Sequence, residues 1–375
     1  MILLGESYRS RRPVFIGLLV TLCMLWVSLG ASAQGYVQFN YDSLVRVPGQ
    51  NAFWQGANLS VPWGIAFSPK GPIWISNDGS GTSTVYNGKN LGFRFPSQNQ
   101  LIVTVPGTCH TFDGCASGSP TGIVFNGTGD FVLSQNGASG PALFIFASFD
   151  ATISGWSPAA NPSTAILAVD NHRIFPVGGH EQYTGLALAS NSAGNFLYAA
   201  NSGITDVSCG TIDVFDKNFA AATLAGSFTD PGLPPLFVPF NIQKINGMLY
   251  VTYSPPPLTG GIVDIFDTDG NFIQRFATNG TLNSPWGLAL APANFGQFSN
   301  DLLVGNNGDG RINAFDPSTG NFLGQLADRN GNPIAIPNLW GLAFGNDGLA
   351  GRSNYLLFTA GSNGGLFGSL HALGQ

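Results

Sequence analysis

The sequence predicts an all-β fold, namely a six-bladed β-propeller closed by an N-terminal strand that completes the last blade. Three observations predict this fold. A short phrase occurs in six copies, at intervals of about 45 to 65 residues, which is close to the period of radial β-architectures. Short apolar runs fill each interval, with Gly, Asn, Asp, Pro or Ser between them. The last interval is one strand short, and unused strand-like sequence lies near the N-terminus.

The repeated phrase is clearest at Ser284–Leu290, which reads Ser-Pro-Trp-Gly-Leu-Ala-Leu. The other copies begin at Val61, Ser119, Tyr183, Val238 and Leu339. In a propeller this phrase is the inner strand of each blade, and side chains alternate between its two faces. The expected large face consists of Trp286, Leu288 and Leu290. We expect Gly287 on the small face, with Gly64 and Gly341 as equivalent packing glycines, so that neighbouring blades interdigitate close to the axis.

Strand assignments follow from the apolar runs between copies of the phrase. In the second blade the strands are predicted at Gly122–Phe125, Asp130–Leu133, Ala142–Ala147 and Thr152–Trp156, with Ala165–Val169 as a further outer strand. In the third blade the predicted outer strand is Thr223–Phe228. The sixth blade has three strands of its own, so residues 36–47 are expected to supply its fourth strand and to close the ring.

The N-terminal segment has the pattern of a secretory signal peptide. Three arginines precede an apolar stretch at Val14–Leu29, and Ala31-Ser32-Ala33 gives a small-x-small cleavage site before Gln34. The alternative is a transmembrane anchor, because the apolar stretch is nearly long enough to span a bilayer. We therefore predict a signal peptide at residues 1–33, a single propeller domain at residues 34–375, and no membrane span after cleavage. The predicted location is secreted, periplasmic or extracellular.

Charge and cysteine content narrow the class of partner and the compartment. Charged residues make up 9% of the chain and the formal net charge is −6, without a basic stripe, which argues against a nucleic-acid partner. Cys109 and Cys115 lie in a loop rich in Gly and Ser, and we predict that they form a disulfide in an oxidising compartment. Pairing of Cys209 with either of them stays open. We expect a monomer.

The third blade carries motifs of a known repeat at Gly185–Ala187, Leu197–Asn201 and Ile212–Asp216. These motifs resemble the first three strands of NHL-type six-bladed propellers, although the Gly-x-Phe-Leu fourth strand of that repeat is missing. Two stretches of the fifth blade, Leu282–Gly296 and Gly308–Asp316, resemble a family of uncharacterised secreted bacterial proteins. Some members of that family end in a PEP-CTERM sorting tail, which this sequence lacks. The resemblance covers nearly all of residues 50–370 and implies a fold without a known activity.

The axial mouth, which is the end of the propeller where the inner strands begin, is the predicted ligand-binding site. The candidate residues occupy equivalent positions in the phrase and are Trp63, Thr121, Thr184, Asn241 with Phe240 as its alternative, Trp286 and Trp340. Three tryptophans around one opening favour stacking on sugar rings or other flat apolar faces. The alternative is that these tryptophans plug the axis or pack between blades.

The same positions bear on metal binding. A resemblance to gluconolactonase-like propellers would imply a metal held at the axial mouth by Glu, Asp and Asn side chains. The six phrase positions contain no carboxylate and form a poor site for a hard cation. Asp78, Asn201 and Asn306 follow second strands and are the remaining metal-ligand candidates, with Ca²⁺ as the one cofactor kept open. As turn residues they need no such role.

His180 and Glu181 form the candidate catalytic pair. They precede the third copy of the phrase, and a His–Glu pair can transfer protons in catalysis. The alternative is a solvated pair in a loop. The leading interpretation is a binding or interaction scaffold, rather than an enzyme, for a carbohydrate, small molecule or peptide at the axial mouth. The alternative function is a metal-dependent propeller hydrolase or lyase.

Overall fold

The computed structural model describes residues 35–37, 54–56, 58–88, 101–108, 117–172, 180–204, 209–257, 259–328, 331–361 and 365–372. The strands form six sheets, which are the blades of a β-propeller, together with one small separate hairpin. Each copy of the repeated phrase is the inner strand of one blade, as predicted. Two short 3₁₀ helices, Asp78–Ser80 and Gly296–Phe298, are the helical elements of the described residues. None of the described helices is long and apolar enough to cross a membrane.

Blades 1, 4 and 5 are four-stranded and antiparallel. The strands of blade 1 are Pro62–Ala66, Ile73–Asn77, Thr82–Tyr86 and Ile102–Thr104. Those of blade 4 are Val238–Ile245, Met248–Ser254, Ile262–Phe266 and Phe272–Thr278. Those of blade 5 are Pro285–Leu290, Leu302–Asn306, Ile312–Phe315 and Phe322–Gln325.

Blade 2 differs from the prediction in its second strand. Its strands, from the axis outward, are Pro120–Phe125, Phe144–Ser148, Thr152–Trp156 and Ile166–Asp170. The predicted strand Asp130–Leu133 is wrong, because Val132–Gln135 pairs with Ala138–Pro141 in the separate hairpin. The tip of this hairpin, Asn136–Gly137, has positive φ at both residues, which suits a tight two-residue turn. Phe131 also has positive φ, so the backbone is not extended at this residue and the apolar run Asp130–Leu133 does not pair with blade 2.

Blade 3 has three strands, Tyr183–Asn191, Gly194–Ile204 and Cys209–Phe215, and the predicted outer strand Thr223–Phe228 is wrong. The backbone N–H of Ala222 still bonds to the carbonyl of Val214, at 2.8 Å, but the chain then leaves the blade. The N–H groups of Gly226 and Phe228 bond instead to carbonyl groups in the outer hairpin of blade 4, at 2.8 and 3.0 Å. We call residues 222–237 the strap, because they cover the junction between blades 3 and 4 with apolar side chains packed into its core.

Blade 6 is closed by the N-terminal segment, as predicted. Its own strands are Leu339–Phe344, Leu356–Ala360 and Leu366–Leu370. Gly35–Val37 pairs with the last of these in parallel orientation, and Trp54–Gly56 adds a fifth strand outside it. The rest of the predicted closing segment, the predicted signal peptide at residues 1–33, Cys109 and Cys115 lie outside the described residues.

Every inner strand contains a β-bulge near its start, which the sequence did not reveal. In blade 5, Pro285 lies opposite Asn306 and Gly287 lies opposite Gly305, so Trp286 is an extra residue. The other five inner strands have the same one-residue excess over their second strands. A bulge redirects a side chain. The expectation that Trp286 shares a face with Leu288 is therefore wrong: Leu288 packs in the core between blades 4 and 5, while Trp286 turns to the axis.

The glycine after each bulge allows the blades to meet closely, as predicted for Gly64, Gly287 and Gly341. A Cβ on Gly64 would lie 2.7 Å from the carbonyl oxygen of Thr121, and one on Gly341 would lie 2.6 Å from that of Trp63. A Cβ on Gly287 would collide with the carbonyl oxygen of Trp340. Each of these glycines thus touches the bulge of the next blade, and a side chain at that point would overpack the axis.

Candidate functional site

The axial mouth brings together the six residues that the phrase predicted as ligand contacts. It is lined by the starts of the inner strands and by the ends of the second strands. Five of the six residues are buried, with Trp63 at 6% and Trp286 at 4% exposure, and Trp340 is half-buried. The tryptophans therefore present little free surface of their own.

Trp63, Trp286 and Trp340 form a cluster that we call the aromatic plug. The rings of Trp63 and Trp340 are stacked, with centroids 3.6 Å apart. Trp286 stands at 89° to both, at 6.1 and 5.9 Å, and its indole N–H donates to the carbonyl oxygen of Thr184 at 2.9 Å. That bond joins blade 5 to blade 3 across the axis. The arrangement matches the alternative in which the tryptophans fill the axis.

Two half-buried phenylalanines flank the aromatic plug: Phe149, which sequence reasoning missed, and Phe240, which it gave as the alternative to Asn241 in blade 4. The ring of Phe149 lies 6.3 Å from that of Trp63, and the ring of Phe240 lies 5.7 Å from that of Trp340. Phe240 occupies the bulge position of blade 4, so Phe240, rather than Asn241, is the equivalent of Trp286. Together with Trp340, they provide the accessible aromatic surface of the axial mouth.

The polar residues of the phrase hold the inner strands together. Thr121 donates to the carbonyl of Tyr183 in the next blade at 2.7 Å, and Thr184 donates to that of Ala200 at 3.3 Å. Asn241 replaces the glycine found in other blades, and its Nδ2 donates to the carbonyl of Trp286 at 2.7 Å. Buried polar groups of this kind are normally satisfied within the protein, as these are.

Two hydroxyls that the sequence analysis did not single out bind the bulges. Ser76 Oγ accepts from the N–H of Gly64 at 2.9 Å and donates to the carbonyl of Thr121. Thr359 Oγ1 accepts from the N–H of Gly341 at 2.8 Å and donates to the carbonyl of Trp63. Each hydroxyl thus satisfies its own bulge and ties it to the next blade.

Asp78 lies at the rim between blades 1 and 2. It follows the second strand of blade 1, and its N–H bonds to the carbonyl of Val61 at 3.1 Å. Burial raises the pKa of its carboxyl to about 6, against the opposing effect of a side-chain hydrogen bond with Ser119. The carbonyl of Ser119 accepts from the N–H of Phe149 at 2.9 Å, which places Asp78 beside the aromatic surface of the axial mouth.

Asn201 caps a turn in blade 3. Its Oδ1 accepts from the N–H groups of Gln182 and Gly203, at 3.1 and 3.0 Å. Its Nδ2 donates to the carboxylate of Glu181 and to Asp213 Oδ2, the latter at 3.2 Å. Both ends of the amide group are therefore engaged within the protein.

His180 and Glu181 do not act on each other in the structure. His180 Nε2 lies 2.7 Å from the amide nitrogen of Gln182, whereas Glu181 bonds to Asn201. Burial lowers the pKa of His180, with a smaller contribution from the charge of His172, so its neutral form is favoured. The predicted acid–base pair is thus divided between two separate hydrogen bonds.

Asp213 and Tyr183 complete the polar network of blade 3. The buried hydroxyl of Tyr183 donates to Asp213 Oδ2 at 2.8 Å and accepts from Asn171 Nδ2 at 2.7 Å. Burial and the nearby charge of Asp213 raise the pKa of Tyr183. Asp213 belongs to the Ile-Asp-Val-Phe-Asp motif, which was the available signal for its position.

Asn306 has the corresponding role in blade 5, where its Nδ2 donates to the carbonyl of Thr281 at 2.7 Å and to Asp309 Oδ1 at 3.0 Å. Asp78, Asn201 and Asn306 therefore belong to three different blades, each with local partners. Among the residues that the structure describes, no group of three or more His, Cys, Asp or Glu side chains is arranged to hold a metal ion.

A polar groove of about 630 Å³ opens between blades 4 and 5. Its lining includes Phe237, Asn279, Asn283, Asp309, Arg311 and Gln325. The groove was not predicted because it combines the end of the strap with loops from two blades.

Comparison with known proteins identifies relatives without a known activity. No protein-family model matches the sequence. A solved structure described as glucose dehydrogenase aligns with a TM-score of 0.51 at 13% identity, covering 84% of this chain and 97% of that one, and this likeness shows the fold alone. "Uncharacterized protein R648" of Acanthamoeba polyphaga mimivirus is 33% identical, covering 76% of this chain and 68% of that protein. "Uncharacterized protein L690" of the same virus is 30% identical, covering 76% and 73%. The chain therefore belongs to the same family as these two mimivirus proteins.

Proposed function

We propose that the protein is an exported binding scaffold whose axial mouth takes a sugar ring or a similarly flat ligand. The observation that carries the proposal is the half-buried aromatic surface of Phe149, Phe240 and Trp340 beside the buried rings of Trp63 and Trp286. Aromatic rings present large apolar faces that suit the C–H face of a sugar, and ligand sites combine such faces with a few placed polar groups.

Two polar groups that can form further hydrogen bonds, from Trp63 and Asp78, lie beside this surface. The indole N–H of Trp63 is buried and finds no acceptor in the described part of the chain. Asp78 supplies an acceptor at the rim, and perturbed carboxyl groups of this kind are more frequent at functional sites. One donor and one acceptor next to aromatic rings fit the hydroxyl groups at the edge of a sugar.

The alternative function, a metal-dependent hydrolase or lyase, has less support from the geometry. Asn201 uses both ends of its amide group in turn hydrogen bonds, and His180 and Glu181 have separate partners. Asn306 donates from Nδ2 to Thr281 and Asp309, while its buried Oδ1 has no hydrogen-bond partner among the described residues. These contacts favour structural roles for the candidate catalytic and metal-ligating residues.

Export rests on the sequence pattern of residues 1–33. We expect protein recovered from outside the cytoplasm of expressing cells to begin at Gln34 when its N-terminus is sequenced. An N-terminus that retains residues 1–33 on a membrane-bound product would contradict export by cleavage and favour the anchor.

Glycan binding by the full chain tests the axial site. We expect a soluble glycan found on an array to bind reversibly, and Phe240→Ala to weaken its affinity roughly fivefold, because stacking on one aromatic ring contributes about 1 kcal/mol. The matched control is Phe322→Ala, which removes an exposed phenylalanine from the far end of blade 5.

Binding is measured by titration with tryptophan fluorescence and by calorimetry. Equal loss in both variants, or no saturable binding of any glycan on the array, would reject the axial sugar site. A stoichiometric metal in the purified protein, together with a hydrolytic activity that chelation removes, would favour the alternative function.

A further inference from the structure

We propose that the groove between blades 4 and 5 is a second binding site, and that it takes a sugar carrying a carboxylate, such as a hexuronic acid. This site goes beyond the axial mouth. The described residues that line it include no member of the aromatic plug and neither of the two flanking phenylalanines. Its volume of about 630 Å³ lies within the usual range for small-molecule sites and is sufficient for a mono- or disaccharide.

Arg311 supplies the positive charge of the groove. Its side chain is 48% exposed, and its Nε lies 4.0 Å from Asp309 Oδ2, a long and weak ion pair. The terminal guanidinium nitrogens donate no hydrogen bond to the residues that the structure describes. A guanidinium with both of these nitrogens free matches the two oxygens of a carboxylate, which it binds through parallel N–H···O bonds.

Asp309 is the carboxylate next to Arg311, and two hydrogen bonds hold it in place. Its Oδ1 accepts from Asn306 Nδ2 at 3.0 Å and from the N–H of Arg311 at 3.1 Å. The carboxylate is therefore held by the backbone and by a fully buried asparagine. Asp309 therefore anchors the backbone of Arg311, while its weak contact with Nε leaves the outer end of the guanidinium for a ligand.

Neutral polar side chains surround the arginine. The amide group of Asn283 is half-buried, and no hydrogen bond to it is formed from the described residues. Gln325 donates from Nε2 to Asn313 at 2.8 Å and keeps its oxygen for another donor. Asn279 is exposed at the tip of the turn that follows the outer strand of blade 4. Amide groups both donate and accept, which suits the hydroxyl groups of a sugar.

Phe237 completes the groove with a half-buried aromatic ring. An aromatic face beside amides and one arginine has the polarity of a sugar ring with a single acidic substituent. The described lining has one cation, Arg311, and one carboxylate, Asp309. This balance fits a singly charged carboxylate better than a phosphate, which carries more charge and more acceptor oxygens.

Titration of the full chain with matched sugars tests the site. The probes are glucuronic and galacturonic acid and their short oligosaccharides, compared with glucose and galactose, which have the same rings without the carboxylate. We expect saturable binding of an acidic sugar at millimolar concentration or below, and at least tenfold weaker binding of its neutral counterpart, because a charge-assisted pair is lost.

Arg311→Gln is expected to weaken binding of the acidic sugar at least tenfold. The control Lys244→Gln removes the same charge from an exposed position at the opposite end of blade 4 and is expected to leave affinity within twofold. Phe240→Ala, which weakens the axial site, is expected to leave acidic-sugar binding unchanged, so the two proposals fail separately.

Three outcomes would overturn the proposal. They are the absence of saturable binding for every acidic sugar tested, equal affinity for acidic and neutral sugars, and equal effects of Arg311→Gln and Lys244→Gln. Circular dichroism of each variant establishes that the fold is retained before these outcomes are read.

Discussion

The inner ends of the blades and their outer edges follow different rules. All six inner strands carry the same bulge, and a glycine follows it in five of them, with Asn241 in the sixth. At the outer edge, by contrast, blade 2 has an added hairpin, blade 3 has no outer strand, and blade 6 includes a parallel pair and a fifth strand.

The contrast shows where the fold constrains the sequence. Near the axis the blades converge until backbone touches backbone, so few side chains are compatible with closure. At the circumference the blades diverge, and side chains such as Ile273 and Leu323 remain about half exposed. Substitutions should therefore lower the free energy of unfolding strongly at the axis and only slightly at the outer edge.

The largest effect is expected for Gly287→Ala. The new Cβ would collide with the carbonyl of Trp340 and press on Leu342, so we expect the free energy of unfolding to fall by about 2 kcal/mol or more. Gly129→Ala is the matched control, because nothing lies within 4 Å of its Cβ position. Urea unfolding measures both variants, and equal stabilities would contradict close packing at the axis.

A pH-dependent effect is expected for Asp264→Asn, at the junction beneath the strap. Asp264 is fully buried, 3.7 Å from Arg275 Nε, while Arg275 also pairs with Asp230 of the strap. Burial, and then the charge of Asp230, raise the pKa of Asp264 to about 7. The folded state thus keeps a proton that the unfolded chain releases near pH 4.

The sign of the effect follows from this raised pKa. The stabilisation from Asp264 is complete below about pH 4 and is lost as pH rises to about 7. Relative to the parent, Asp264→Asn should gain on the order of 2 kcal/mol between pH 5 and pH 8, measured by urea unfolding. A difference between the two proteins that stays constant with pH would refute this account of Asp264.

A smaller loss is expected for Thr359→Val. The change keeps the shape but leaves the N–H of Gly341 without its acceptor, which costs about 1 to 2 kcal/mol for a buried group. Thr278→Val, at an exposed position on the outer strand of blade 4, is the control. If thermal unfolding shifts equally in both variants, the hydroxyl at the bulge has no special role.

The smallest effect is expected for Ile273→Thr on the same outer strand. The side chain is 51% exposed, so stability should change by less than about 0.5 kcal/mol in chemical denaturation. A loss comparable to that of Gly287→Ala would mean that the circumference is as restrictive as the axis.

The sequence was most informative where packing forces repetition. The phrase around Trp286 predicted every inner strand and the packing glycines Gly64, Gly287 and Gly341, because the blades converge at the axis and need a similar close contact there. The bulge was missed because an added residue leaves the apolar pattern unchanged. Blade 2 was misassigned because the apolar run at Asp130–Leu133 reads like a strand, while the positive φ of Phe131 has no sequence signal.

The candidate sites show the same contrast between what the repeated phrase predicts and what only the folded chain reveals. The phrase located the tryptophans at the axial mouth, but their burial depends on contacts among blades 1, 5 and 6. The groove between blades 4 and 5 could not be predicted from the sequence, for a related reason. Phe237, Asn283 and Arg311 come from three separate loops, and only the folded chain brings them to one cavity.

The stacked indoles of Trp63 and Trp340 lie at the seam where the first and last blades meet. At a centroid distance of 3.6 Å the two rings are in direct contact across this seam. Opening of the ring at the seam would separate them and expose Trp63, which is only 6% exposed in the closed ring. Tryptophan fluorescence would then shift towards that of an exposed indole, so the protein's own side chains would report ring opening.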